Sequence, residues 1–162
     1  MFLLLKIAVV ATMILQACSP SQEKRPAAQP AVNDLPAMSI TLMDGTLLAT
    51  KLLQGKTMLV LFQTDCDHCQ REAADIEHNL HAFSTSTVYF ITSNPMAEIE
   101  KFAREHKLDK RKNVHFAWTS TENILKSFGP IETPSIYIYS DEHRLVKSFN
   151  GEVSVAEVLK YI

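Results

Sequence analysis

The sequence predicts a layered α/β fold, and three observations carry that prediction. Short apolar runs of strand character alternate with segments whose apolar residues recur at helical spacing. The run Thr57–Phe62 is continuously apolar after its first residue, as expected of a strand covered on both faces. The last two runs, Ser135–Tyr139 and Leu145–Phe149, are joined across Asp141-Glu142-His143-Arg144, a link short enough only for an antiparallel hairpin.

In chain order, Ser39-Ile40-Thr41-Leu42 alternates polar and apolar, Asp44-Gly45 marks a turn, and Thr46 to Ala49 returns as its partner strand. Gly55-Lys56 leads into the buried strand. Ile76, Leu80 and Phe83 then share one helical face, and Val88–Ile91 is a second buried strand. Asn94-Pro95 predicts a helix start, with Asn94 as cap and Pro95 at the first helical position; Met96, Ile99, Phe102 and Ala103 supply that helix's inner face. Val114–Trp118 is a strand, and Thr121–Phe128 a short helix stopped by Gly129-Pro130. Ser154 and Glu157 form a capping-box pair for a last helix ending near Ile162.

Composition bounds the function. A chain of 162 residues, 46% hydrophobic and 21% charged, has room for one ordinary domain and is too apolar to be disordered. Sixteen Lys and Arg against eighteen Asp and Glu give a net charge of -2, which removes the electrostatic case for a nucleic-acid partner. Three cysteines are too few for a disulfide-stapled scaffold, so their positions matter more than their number.

The first cysteine ends a leader. Residues 1–17 hold one lysine and then the apolar run Ile7–Leu15, too short to span a bilayer but suited to a signal-peptide core. The run closes in Leu15-Gln16-Ala17-Cys18, which resembles a bacterial lipobox, with Gln16 where a small residue is usual. That resemblance implies lipid attachment at Cys18, with residues 1–17 removed. Ser19–Pro36 carries four of the seven prolines and almost no large apolar side chain, so residues 18–37 are expected to form a disordered tether. The folded domain is expected at 38–162.

The other two cysteines carry the chemistry. Cys66-Asp67-His68-Cys69 follows a buried strand and opens a helix, the edge at which α/β folds place their sites. Amides at a helix start favour a thiolate, so Cys66 is expected to attack; two intervening residues let Cys69, one turn further in, reach it and act as the resolving thiol. The same pair would serve as half of a zinc site only with further ligands. His68, His78 and His81 are the candidates, and the last two lie on a helix running away from the pair. No cofactor and no metal are expected. Closing so short a loop stabilises the fold little, which argues against a merely structural disulfide.

The segment Phe62-Gln63-Thr64-Asp65-Cys66-Asp67-His68-Cys69-Gln70-Arg71-Glu72 resembles the active-site stretch of the thioredoxin superfamily, and in particular its TlpA-like, membrane-anchored thiol–disulfide oxidoreductases. Glu132-Thr133-Pro134-Ser135-Ile136-Tyr137 resembles that family's cis-proline turn. The resemblance implies a thioredoxin-like fold: a central mixed sheet flanked by helices on both faces, with an N-terminal β-hairpin extension. It also implies a redox-active Cys66–Cys69 disulfide and substrate pairing at Thr133 and Pro134, where a cis peptide is cheap only because of the proline. Expected partners are protein thiols and disulfides, a membrane electron-relay protein, and the membrane through the N-terminal lipid. The expected location is the bacterial cell envelope facing the periplasm, on the outer membrane because Ser19, not aspartate, follows Cys18.

Two departures stand out. Asp65 replaces the tryptophan common before the first cysteine, and Val60 replaces the buried aspartate six residues before it. Glu72 matches a glutamate of the TlpA-like proteins and is a candidate proton acceptor for Cys69; a solvated first-turn glutamate favoured by the helix dipole is the alternative. Asp65 and Asp67 oppose a thiolate at Cys66 whereas His68 favours it, leaving the direction of electron flow open. Two other functions share the fold: a peroxiredoxin-like peroxidase, whose usual threonine three residues before the reactive cysteine is here Gln63, and a copper-chaperone-like module, which typically uses a CxxxC spacing one residue longer.

Overall fold

The computed structural model describes residues 34–162. The expected signal segment, Cys18 and the tether up to residue 33 lie outside the described residues. Seven strands form one mixed sheet in the order β2-β1-β5-β4-β3-β6-β7. They are β1 (Ser39–Leu42), β2 (Leu47–Ala49), β3 (Thr57–Leu61), β4 (Thr87–Thr92), β5 (Val114–Trp118), β6 (Ser135–Tyr139) and β7 (Leu145–Asn150). β3, β4 and β5 run parallel, with Val60 beside Phe90 and Phe90 beside Phe116; β6 is antiparallel to β3 and β1 antiparallel to β5.

Four helices cover the sheet: α1 (Asp67–His78), α2 (Met96–Glu105), α3 (Thr121–Phe128) and α4 (Val155–Val158). Alternation along β3 sends Met58 and Val60 to one face and Leu59 and Leu61 to the other. On the first face they meet Ala73 and Ile76 of α1, Ile99 and Phe102 of α2, and Val155 and Val158 of α4. On the second they meet Ile124 of α3, with Leu35 and Met38 from the chain before β1. Both faces of the sheet are therefore covered, and each fully buried aliphatic side chain contributes about 1.5–3 kcal/mol. Among the described residues no helix is long and apolar enough to cross a membrane.

The β1–β2 hairpin turns where the sequence places it: Gly45 takes φ 84°, and the Asp44 carboxylate accepts the Thr46 amide at 2.8 Å. Four details differ from the sequence reading. The folded part starts before Met38, because Leu35 is buried and its amide donates to the His143 carbonyl at 2.9 Å, beside an Asp34–Arg144 bridge. Residues 34–37 thus belong to the domain: Leu35 is seated in the core and the Thr50 hydroxyl donates to the Pro36 carbonyl. α1 stops at His78, and Phe83 reaches the core from a separate 3₁₀ turn, Leu80–Phe83. α2 begins one residue later than expected, with Pro95 at the cap position. The Asn94 side-chain oxygen Oδ1 is drawn away, accepting from the Thr92 hydroxyl at 2.8 Å and the Thr64 amide at 3.3 Å. Finally, the capping box at α4 does not form. The Ser154 side chain caps nothing and the Glu157 carboxylate turns to Lys160, so the terminus is a four-residue helix followed by a 3₁₀ turn, Leu159–Tyr161.

Candidate active site

The parallel strand β3 delivers the chain to the sheet's C-terminal edge, and after a four-residue loop Cys66 becomes the N-cap of α1. Its sulfur takes the role an N-cap oxygen would play, accepting the Cys69 amide at 3.2 Å. The Cys69 thiol points at the same sulfur, Sγ to Sγ 2.6 Å. Cys66 is half-buried while Cys69 is 1% exposed, so only the first is open to solvent. Burial, reinforced by the hydrogen bond to Cys66, pushes the Cys69 thiol up to about 12.

The Thr133–Pro134 peptide is cis and lies against Cys66. The Thr133 carbonyl is 3.6 Å from the Cys66 sulfur and its hydroxyl 4.0 Å. The Thr133 amide has no hydrogen-bond partner among the described residues. Between this turn and α3 opens a cleft of about 320 Å³, lined by Phe62, Gln63, Ile124, Leu125, Ile131 and Thr133. Two larger hollows, of about 480 and 510 Å³, surround Arg104 and Arg111 at the opposite end of the sheet and hold none of these residues.

Glu72 sits one turn beyond Cys69 on the inner side of α1, 1% exposed. It is not the solvated helix-start residue that was one of its two readings. One carboxylate oxygen accepts the Val153 amide at 3.1 Å and the other has no partner among the described residues. Burial raises its pKa to about 7; the Val153 amide opposes the rise, and the Asp75 and Glu152 carboxylates add to it. Glu72 is the sole buried ionised-type side chain among the described residues, because Val60 is apolar and packed in the core. It makes no hydrogen bond to the Cys69 sulfur, so a proton passing between them would need a bridging water.

A further carboxylate, Glu152, escaped the sequence reading. It lies in the β7–α4 connection and grips the outer side of α1. Arg71 donates to both its oxygens, at 2.9 and 2.7 Å, and His68 Nδ1 lies 2.6 Å from one of them. The guanidinium and the imidazole hold the Glu152 carboxyl down at about 2. Nothing local signals these contacts, since they span 81 and 84 residues. His68 is thereby turned toward Glu152 and Arg71; it does not bond the Cys66 sulfur. Among the described residues no three His, Cys, Asp or Glu side chains converge as a metal-ligand set.

A mixed sheet with helices on both faces, and a dithiol at a helix start opposite a cis-proline, define a protein of thioredoxin-like fold. Residues 32–148 match the AhpC/TSA family, and the chain belongs to that family. No curated protein matches the chain. Solved structures share the fold at low identity. A secreted Mycobacterium tuberculosis disulfide oxidoreductase, homologous to E. coli DsbE, superposes with a TM-score of 0.66 at 15% identity, over 77% of this chain and 93% of that one. ScoI of Arabidopsis thaliana, with copper bound, gives 0.64 at 18%, over 80% and 94%. Peroxidoxin BcpB of M. tuberculosis gives 0.62 at 14%, over 80% and 95%.

Proposed function

We propose that the protein is an extracytoplasmic thiol–disulfide oxidoreductase that exchanges disulfides through Cys66 and Cys69. The observation that carries this reading is the pairing of an accessible sulfur at a helix start with a buried one 2.6 Å behind it, both facing a cis-proline turn. In the reducing direction, the Cys66 thiolate attacks one sulfur of a substrate disulfide and expels the other as a thiol, leaving a mixed disulfide. Cys69 loses its proton, attacks the Cys66 sulfur and releases the second substrate thiol. Two electrons have then passed from the dithiol to the substrate, and the protein holds a Cys66–Cys69 disulfide. Oxidation of a substrate dithiol is the same path reversed.

Each neighbouring group has a part in this reading. The free Thr133 amide, beside Pro134, is placed to pair with an extended substrate backbone, and the adjacent cleft suits an apolar substrate side chain. Glu72, poised near 7, takes up the Cys69 proton through water and returns it in the reverse direction. Lipid on Cys18 would tether the domain to the periplasmic side of the outer membrane, within reach of protein thiols and a membrane electron-relay partner. The secreted location of one fold neighbour supports an extracytoplasmic setting.

The family match favours a second reading, a peroxidase in which Cys66 reduces a peroxide and is oxidised to a sulfenic acid that Cys69 resolves. Gln63 in place of the family's threonine argues against it. A copper module fits the residues worse, because the two sulfurs have no third donor among the described residues. Insulin reduction and peroxide turnover, run on the same preparation with dithiothreitol as reductant, separate the first two. Disulfide reduction that depends on both cysteines, without matching peroxide turnover, is the expected result; the reverse pattern would make the protein a peroxidase.

A further inference from the structure

The β7–α4 connection touches α1 twice, on opposite sides. Val153 gives its amide to the buried Glu72, and one residue earlier Glu152 reaches across the exposed side to Arg71 and His68. The Arg71 contact is a two-pronged fork, Nε to Oε1 at 2.9 Å and Nη2 to Oε2 at 2.7 Å, the charge-assisted and directional kind. His68 Nδ1 joins it, 2.6 Å from Oε2 and 2.8 Å from Arg71 Nη2. His68 is one of the two residues between the cysteines, so this loop carboxylate contacts the dipeptide directly.

The contacts of Cys66 give the arrangement its meaning. Its sulfur meets the Cys69 amide, the Cys69 thiol and the carbonyl and hydroxyl of Thr133; neither Arg71 nor His68 touches it. Yet His68 and Arg71 follow Cys66 by two and five residues on the same helix, whose N-cap is Cys66, so both side chains start within about a Debye length of that sulfur along the helix axis. A cation left free beside a helix-start thiolate stabilises it, and stabilising the reduced form is what makes such a couple oxidising. We propose that Glu152 is a positioning residue that neutralises Arg71 and holds it and His68 off Cys66, keeping the Cys66–Cys69 couple more reducing than these side chains would otherwise make it. The proposal rests on the exchange reading above, in which the disulfide takes up two electrons and two protons to give the dithiol.

The test equilibrates the full chain with buffers of glutathione and its disulfide, in which two glutathione thiols supply the electrons and become one disulfide. The fraction of Cys66–Cys69 dithiol is read by alkylation. Glu152→Gln is expected to move the equilibrium about tenfold toward the dithiol, about 30 mV for a two-electron couple. Arg71→Gln removes the cation and leaves the carboxylate unneutralised, so it is expected to move the equilibrium toward the disulfide; this arm decides the matter if Glu152→Gln does not fold. The double variant should erase most of the Glu152→Gln shift, since the effect runs through Arg71. An unchanged equilibrium in the single variants, a shift of opposite sign, or a Glu152→Gln shift that persists without Arg71 overturns the proposal. A wild-type chain that forms no Cys66–Cys69 disulfide at any glutathione ratio overturns the exchange reading and this proposal with it. A wild-type couple that cycles while the variants match it overturns the proposal alone.

Discussion

The carboxylate of Glu72 is buried behind the cysteine pair and held by a single hydrogen bond from the amide of Val153, 81 residues further along the chain. Two elements remote in sequence thus determine the surroundings of one buried carboxylate. α1 supplies the acid one turn beyond Cys69, and the β7–α4 connection closes over it. With Val60 apolar and packed in the core, Glu72 is the one buried carboxylate among the described residues, and the proposed mechanism makes it the acceptor of the Cys69 proton.

Replacing that group should separate chemistry from stability. Glu72→Gln keeps shape and can still accept from Val153, but it cannot take a proton. Resolution of the mixed disulfide is expected to slow by about 10²-fold, and the pH–rate profile to lose its inflection near 7. Stopped-flow kinetics of resolution across pH 5–9 (about one point per half unit) measures this. Superimposable profiles would return Glu72 to a structural role.

The same substitution has a signed effect on folding. Glu72 has its folded pKa raised from 4.5 to about 7, so between those values the native state holds a proton the unfolded chain has lost. Stability therefore falls as pH rises from 4.5 to 7, and the full cost, about 3 kcal/mol, persists above 7. Glu72→Gln is expected to melt several degrees higher than wild type above pH 8 and to match it near pH 4.5, as thermal unfolding at the two pH values will show.

Much of the fold was legible because the local signals were strong. Apolar patterning located all seven strands, α2 and α3, and the cysteine pair marked the start of α1; that pair and Thr133-Pro134, singled out in the sequence, meet at the candidate site. The differences arise where another group captures a side chain, whether it lies close in the sequence or far along it. Asn94 looks like a cap, but Thr64 and Thr92 engage its oxygen; Glu157 looks like half of a capping box, but Lys160 is the nearer partner. Glu72 was ambiguous for the same reason. Its burial depends on Val153, and no window of sequence around α1 contains that residue.

Leu35 offers a test of where the domain begins. It is 2% exposed in the second core, so Leu35→Ala should cost about 2–5 kcal/mol. A chain starting at Met38 should be destabilised at least as much relative to one starting at Asp34, because it also loses the Leu35–His143 hydrogen bond. Urea denaturation of the three forms checks both statements.

The proposed anchor predicts how the protein fractionates. Wild type should be recovered with the outer membrane and carry a mass increment of an acylated N-terminal cysteine, whereas Cys18→Ala should be released as an unmodified soluble species. Mass spectrometry of the two fractions decides it, and a soluble unmodified wild type would contradict the anchor.

The most direct test of the dithiol mechanism is to trap its intermediate. Cys66 is the sulfur open to solvent, and Cys69, buried with its thiol held up at about 12, can act only from within. In Cys69→Ser, one substrate molecule should remain disulfide-bonded to Cys66, visible as a single mass adduct that dithiothreitol removes, while Cys66→Ser forms no adduct at all. Turnover by Cys69→Ser at the wild-type rate, or an adduct that survives in Cys66→Ser, would contradict the account.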